Sequence, residues 1–396
     1  MPELPAALCD FCGQDAALHF AYQAEPSPRD LKVHVCGHCG LVQSLPRIDR
    51  TSTRHGAAVS SGADWGNVRY GKGFRTQAAL EALARHVKLD GGLALLDVGS
   101  NRGSFAKAFL DAAPRANITA VEPDERYADS CANLPRTKLV WARTEETEFP
   151  DASFDIVHSC HTIEHLAAPF AALKDHARVL KQGGLLVLDA PNIALIGGDD
   201  IVEEWFIDKH LFHFSKGTLA RMIEAAGLTI IARPDPADLT NLLFVARKTR
   251  TPVAQIAPDP AEAAQAGALI RRYCHIRAAN RAALKAVARE LNALKPQRVA
   301  LWGAGRLFDS LVLAGGFDPQ TLALLIDAHL VQYMCELHGM KLSRPEALSS
   351  VRVDVIVAMS RFFSHEIAAD AKKRAPHARV ILYGDLLARA RLSQAA

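Results

Sequence analysis

Residues 93–103, Leu-Ala-Leu-Leu-Asp-Val-Gly-Ser-Asn-Arg-Gly, restrict the fold more than any other stretch of the 396-residue chain. The apolar run at 93–96 has the length of a buried parallel strand. It stops at Asp97 and passes into a turn bearing Gly99 and Gly103. Over residues 104–113, Phe105, Phe109 and Ala112 fall on one face at helical spacing, which predicts an amphipathic helix. Strand, glycine turn and helix together hold an extended, charged small molecule against backbone N–H groups. The turn marks Asp97, Gly99, Asn101 and Gly103 as candidate cofactor-binding residues.

The rest of the central region extends this unit. Residues 118–121 read as a second strand tipped by Glu122, 19 residues beyond Gly103. An acid there is placed to bind both ribose hydroxyls with one carboxylate. Strands at 139–142, 154–159 and 185–188 follow, with a polar loop at 143–151 and a helix at 169–180 closed by Gly183-Gly184. A helix at 218–226 and a strand at 228–231 end the run. This alternation predicts an α/β fold with a doubly wound, Rossmann-like parallel sheet. Ligands of such a sheet lie at the carboxyl ends of its strands, where Asp97, Glu122, His161 and Pro191 fall. His161 therefore joins the cofactor candidates.

Ahead of that region stand Cys9-x-x-Cys12 and Cys36-x-x-Cys39, each pair followed by Gly, with 23 residues between them. Two such knuckles fit tetrahedral zinc, and four sulfurs close the site, so the expected role is structural. A segment this short cannot bury enough surface to fold alone, whereas zinc binding supplies roughly 10–16 kcal/mol in model peptides. Few Lys or Arg lie between the knuckles, and the net charge is only +3, so no nucleic-acid partner is expected. No run of about 20 apolar residues suggests a membrane span. The first residues lack the pattern of a secretory signal, and the other four cysteines are scattered, which points to a reducing cytoplasm.

Two further stretches carry candidate chemistry. A loop at 46–73 ends in Arg69-Tyr70-Gly71-Lys72-Gly73, and Tyr70 is placed to fold over a ligand as a candidate catalytic contact. Residues 203–215 are dense in His, acids and aromatics, including His210 and His213. Imidazole titrates near neutrality, which suits His210 to general-base work; a metal reading of the two histidines lacks a third ligand. Histidines packed among aromatics to hold a lid are the structural alternative. A Pro-rich linker at 249–262 leads to a long helix at 263–294. A second nucleotide-like unit opens at 298 with Gly303-x-Gly305-Arg306, a turn suited to a phosphate or to no ligand at all. Its further strands fall at 322–326, 353–358 and 380–382, the last with Tyr383-Gly384-Asp385 closing the chain. The expected division is 1–50, 51–250, 251–297 and 298–396.

Asp97-x-Gly99-x-x-x-Gly103, Glu122, Phe154-Asp155-Ile156-Val157 and His165-Leu166, followed by a Leu-Lys-x-Gly-Gly turn, resemble class I S-adenosylmethionine-dependent methyltransferases over residues 75–248. A nicotinamide enzyme would carry Gly-x-Gly-x-x-Gly in the first turn, and this turn does not. Asn101 stands where that family has glycine, and Asn tolerates positive φ. The resemblance implies S-adenosylmethionine as cofactor, with Asp97 and Gly99 along its methionine and ribose and Glu122 on the ribose hydroxyls. The family often has an adenine-contacting acid before the fourth strand; here that loop reads Arg143-Thr144-Glu145.

Zinc ribbon, methyltransferase, long helix and Rossmann-like C-terminal domain, in that order, resemble the C-methyltransferases of nucleotide-linked deoxysugars. This implies a small-molecule acceptor, a nucleotide-linked sugar, with His210 as base and His165 as a second active-site histidine. The family's Tyr-His-Glu-His loop is replaced by Ile207-Asp208-Lys209-His210. That departure leaves O-methylation of another metabolite, or a binding protein that methylates nothing, as open alternatives. No oligomeric state follows from the sequence.

Overall fold

The computed structural model describes residues 8–14, 18–23, 32–45, 74–124, 131, 133–196, 206, 210–234, 241–332, 334–360 and 363–395. They divide into two units, one reaching Arg271 and the other running from Arg272. In the first unit, β1 (Leu18–Gln23), β2 (Lys32–Cys36) and β3 (Val42–Leu45) form an antiparallel meander. Cys9 Sγ lies 3.5 Å from Cys39 Sγ, and Cys12 Sγ 3.6 Å from Cys36 Sγ. Four sulfurs on one tetrahedral zinc stand about 3.8 Å apart, and all four thiols are free. The cluster is compatible with a structural zinc site.

The central part of this unit comprises α1 (Phe74–Ala84), β4 (Ala94–Val98), α2 (Ser104–Ala112), β5 (Asn117–Val121), β6 (Thr137–Val140), β7 (Phe154–Cys160), α3 (Pro169–Val179) and β8 (Leu180–Pro191). After β9 (Phe212–His213) come α4 (Lys216–Ala225), β10 (Leu228–Ala232) and β11 (Asn241–Lys248). Seven strands make one sheet in the order β10-β11-β8-β7-β4-β5-β6, with β11 antiparallel to both neighbours. Strand order reverses at β4, which lies between β5 and β7, so the ligand crevice opens at its carboxyl end. Both faces are covered. Leu95, Ile118, Ile156 and Val187 pack against Leu83, Phe105 and Phe109, while Leu96, Val98, Val157 and Leu186 pack against Phe170, Leu173, Leu219 and Met222. Burial on two sides explains why these strands read as apolar runs without alternation.

Several elements differ from the sequence expectation, three of them with consequences for the site or the chain's end. β11 lies beyond the strand at 228–231 with which the expected alternation ends, and it adds an antiparallel strand between β10 and β8. β9 is only two residues long, and it joins the cysteine-bearing sheet through Val42↔His213 and Gln43↔Phe212. The chain does not close at Asp385 but continues as a helix, Tyr383–Ala395. The cysteine module is also tied to α3: Asp10 Oδ2 accepts from the Phe170 N–H at 2.9 Å, and Phe11 meets Phe170 edge to face at 5.1 Å. An acid at that helix start complements its exposed N–H groups and dipole.

From α5 (Pro260–Asn292) the chain enters the second unit, with β12 (Val299–Trp302), α6 (Arg306–Leu313), β13 (Leu324–Ile326), β14 (Glu336–Leu337), β15 (Met340–Ser343), β16 (Val355–Ala358), α7 (Ser364–Arg374) and β17 (Arg379–Leu382). Its six-stranded sheet runs β14-β15-β13-β12-β16-β17. A Cβ on Gly303, which follows β12, would lie 2.4 Å from the Met359 carbonyl oxygen, so only glycine fits that turn. Asp327, at the tip of β13, accepts from the Ala304 N–H at 3.0 Å and from the His329 and Leu330 N–H groups at 2.9 Å. No helix among the described residues is long and apolar enough to cross a membrane.

The cysteine geometry makes a testable claim on stability. One zinc per chain is expected by metal analysis. Removing it with a chelator, or by Cys36→Ser, should make residues 8–45 the first segment cut by a protease. A zinc-free chain that resists cleavage there would show that the sheet stands without metal.

Candidate functional site

The turn between β4 and α2 is built from left-handed backbone: Gly99 has φ 70°, Asn101 φ 48° and Gly103 φ 71°. Asn101 takes the positive φ expected of it, and its side-chain oxygen accepts from the Arg102 N–H at 2.8 Å. Gly99 has a second reason to be glycine, since a Cβ there would lie 2.1 Å from Thr162 Oγ1. The turn is held from β5. Val121 O accepts from Gly99 and Ser100, and Glu122 accepts from the Asn101 N–H at 2.7 Å and the Asp124 N–H at 2.9 Å. Burial pushes the Glu122 carboxyl above the ordinary 4.5, and these N–H groups, Asp124 first, pull the other way.

Asp97 is 1% exposed and stands at the carboxyl end of β4. Its Oδ1 lies 2.7 Å from His158 Nδ1, and its Oδ2 is buried without a hydrogen-bond partner. His158 is Asp97's register partner on β7, and its ring stacks flat on Phe105 with centroids 3.5 Å apart. Sequence reading missed His158. The available signal was a titratable residue inside the buried strand Phe154-Asp155-Ile156-Val157-His158, level with the conspicuous acid of the neighbouring strand. An unsatisfied, buried carboxylate oxygen beside an open glycine turn suits a ligand carrying a cationic or N–H donor group. S-adenosylmethionine, with an ammonium, a sulfonium and ribose hydroxyls, fits that donor and acceptor set.

A second constellation lies at the ends of β7, β8 and β11. His161 has φ 49°, an uncommon backbone for a non-glycine residue. Its Nε2 is 3.0 Å from Asn241 Oδ1 and 3.7 Å from Asp189 Oδ1, and its Nδ1 is 3.3 Å from Glu164 Oε1. Glu164 is 1% exposed, and His165 Nε2 lies 3.7 Å from its Oε1. His165 and His210 face each other with ring centroids 4.8 Å apart. The Leu211 N–H donates to the Glu164 carbonyl at 2.8 Å, which fixes His210 beside this carboxylate. Burial pushes the Glu164 carboxyl up, but His165, His161 and His210 together outweigh it and hold it down at about 2. Burial first, and His165 next, push the His210 imidazole well below its usual range.

The structure thus brings His165 and His210 together. His213 stands apart from them: its Nε2 is 2.9 Å from Ser44 Oγ, and its ring meets Phe206 at 4.6 Å. It ties β9 to the cysteine-bearing sheet. Tyr70 lies outside the described residues, as do Ile207, Asp208 and Lys209. Glu145, the acid in the expected adenine loop, accepts from the Ala167 N–H at 3.1 Å.

Residues 96–188 match a family model described as a methyltransferase domain. An uncharacterized methyltransferase of Mycolicibacterium vanbaalenii is 39% identical over 100 residues, which is 24% of this chain and 38% of that protein. One of Mycobacterium tuberculosis is 38% identical over 123 residues, 29% of this chain and 48% of that protein. The chain spans less than half the length of these curated relatives. Among solved structures, the 1,6-didemethyltoxoflavin-N1-methyltransferase of Burkholderia thailandensis is similar at TM-score 0.41 and 17% identity, covering 58% of this chain and all of that one, 100%. A SAM-dependent methyltransferase of Aquifex aeolicus is similar at TM-score 0.38 and 16% identity, covering 47% and 99%. Motif, sheet order and family match agree: the chain carries an α/β Rossmann-like domain of the S-adenosylmethionine-dependent methyltransferase fold.

Proposed function

We propose that this chain transfers a methyl group from S-adenosylmethionine to a small-molecule acceptor, with a nucleotide-linked sugar as the acceptor class and carbon as the methylated atom. The observation that carries the reading is the meeting of two constellations at one end of one sheet. A glycine turn with an unsatisfied acid, Asp97, lies at the tip of β4, and an opposed histidine pair with a buried anion lies beyond the tip of β7. The acceptor class rests on the resemblance in domain order and on the match of His210 and His165 to that family's motif.

S-adenosylmethionine, when bound, supplies a methyl carbon already made electrophilic by its sulfonium. The chain's own tasks are then to hold, to align and to accept a proton. Asp97 Oδ2 and the turn at Gly99, Asn101 and Gly103 would hold the methionine end, and Glu122 the ribose hydroxyls. His161, beyond the β7 tip and beside Glu164 and Asp189, is assigned to the cofactor as well. His210 would take the proton from the acceptor, at a carbon beside a carbonyl. Glu164, a buried anion close to both imidazoles, favours the cation that His210 becomes on taking that proton. His165 and Tyr70 are assigned to orient the acceptor.

His210→Ala is expected to leave S-adenosylmethionine affinity within about twofold and to lower methyl transfer by about two to four orders of magnitude. The assay is transfer of labelled methyl to a panel of nucleotide-linked keto-sugars, read by mass; undiminished turnover would remove the base assignment. Glu122→Gln is expected to weaken donor binding by about tenfold or more, a loss of about 1.4 kcal/mol. Because the Glu122 carboxyl is raised above 4.5, it protonates at a higher pH than an ordinary carboxylate. Wild-type affinity should therefore fall with acid sooner than an ordinary carboxylate predicts, while the Gln variant stays flat. Calorimetry giving the same affinity and pH profile for both proteins would take Glu122 out of the donor site.

A further inference from the structure

The lone metal-like grouping among the described residues apart from the cysteines is Glu164, His165 and His210. One carboxylate oxygen and one nitrogen of each ring lie within 4.8 Å of one another. Glu164 is 1% exposed, and neither of its oxygens accepts a hydrogen bond of ordinary geometry. A carboxylate taken out of water in this way calls for a compensating positive charge close by. The nearest groups are imidazoles, His161 Nδ1 at 3.3 Å and His165 Nε2 at 3.7 Å.

Two imidazoles and one carboxylate are the donor set of borderline first-row divalent ions, and three protein ligands leave a position open. An ion about 2.0–2.2 Å from each ligand needs donors about 3–4 Å apart. The Glu164 to His165 separation of 3.7 Å meets this already. The other separations, all within 4.8 Å, close to that range with modest side-chain rotation, and the His165 side chain is 37% exposed. The backbone prepares the rest: Leu211 N–H to Glu164 O at 2.8 Å fixes the third ligand's segment against the first. His161 approaches the same carboxylate oxygen outside the ligand set, as groups that orient metal-bound carboxylates do.

We infer that Glu164, His165 and His210 bind one divalent transition-metal ion of the zinc or cobalt class, with an open position that accepts an oxygen of a second ligand. This goes beyond the proposed function and does not depend on it. An ion on the His210 nitrogen occupies the lone pair that would take a proton, so ion binding and base action exclude each other at any instant.

The test uses full-length protein with zinc already in its cysteine site, titrated with cobalt(II). The expected result is one cobalt per chain, with weak visible d–d bands and no thiolate-to-cobalt charge-transfer band. Glu164→Gln, a near-isosteric change, and His165→Ala, at a half-exposed ring, should each weaken cobalt binding by about tenfold or more. Circular dichroism and melting temperature check that both variants fold. No cobalt beyond the zinc equivalent, or binding that neither folded variant weakens, overturns the site. Methyl transfer is assayed separately without cobalt, so failure of the metal site and failure of the transferase reading give different results.

Discussion

The reach of one carboxylate, Glu122, back to the turn beyond β4 is the contact on which the carboxyl end of the sheet depends. Gly99, Asn101 and Gly103 all sit in the left-handed region, and the turn satisfies only the N–H groups of Arg102 and Gly103 from within, leaving those of Gly99, Ser100 and Asn101 to outside acceptors. β5 supplies the acceptors: Val121 O for Gly99 and Ser100, and Glu122 for Asn101. The second unit repeats the arrangement with different residues. There Asp327, at the tip of the strand beside β12, takes the N–H of Ala304. In both units an acid one strand over fixes a glycine turn in an open shape. A carboxylate has about four acceptor sites, so two N–H bonds to Glu122 leave acceptor capacity for further donors.

The histidine constellation is shaped by a short strand. Phe212 and His213 pair with β3 in extended conformation, and side chains three residues apart on extended backbone point to opposite sides. His213 therefore goes to Ser44 and the cysteine-bearing sheet while His210, just before the strand, goes to Glu164 and His165. Two histidines close together in sequence are assigned to separate tasks by backbone geometry alone.

The parts of this protein that were legible in its sequence are those whose signal is local. Residues 93–113 announce a strand, a turn and a helix because the apolar run, the glycines and the helical spacing lie within one stretch, and Asn101 takes the φ that its side chain tolerates. The cysteine pairs announce a metal site because tetrahedral sulfur coordination fixes their spacing within each knuckle. What could not be read depends on the topology. Glu164 and His165 meet His210 only because β8 and the segment before β9 return the chain to the same strand end. The sequence pairs His210 with His213 by proximity, whereas the groups beside His210 are Glu164 and His165, about 45 residues away along the chain, and His213 turns to Ser44. His158 was hidden for the related reason that its importance lies in its register against Asp97. β11 carries no period of two because residues 241–246 are all buried, so only the Pro-Asp-Pro at 234–236 and the Pro-rich stretch after Lys248 mark it along the chain.

The pairing of β9 with β3 has a consequence for what counts as a minimal catalytic domain. A chain trimmed to its sheet and helices, without the first 45 residues, would lose the strand that covers Phe212 and His213. Their backbone N–H and C=O groups would become an open edge beside Leu211, Phe212 and Phe214, all nearly fully buried in the intact fold. Such an edge recruits other strands, including copies of itself. The cysteine module is then less an appendage than a built-in partner strand that keeps the edge beside His210 from aggregating.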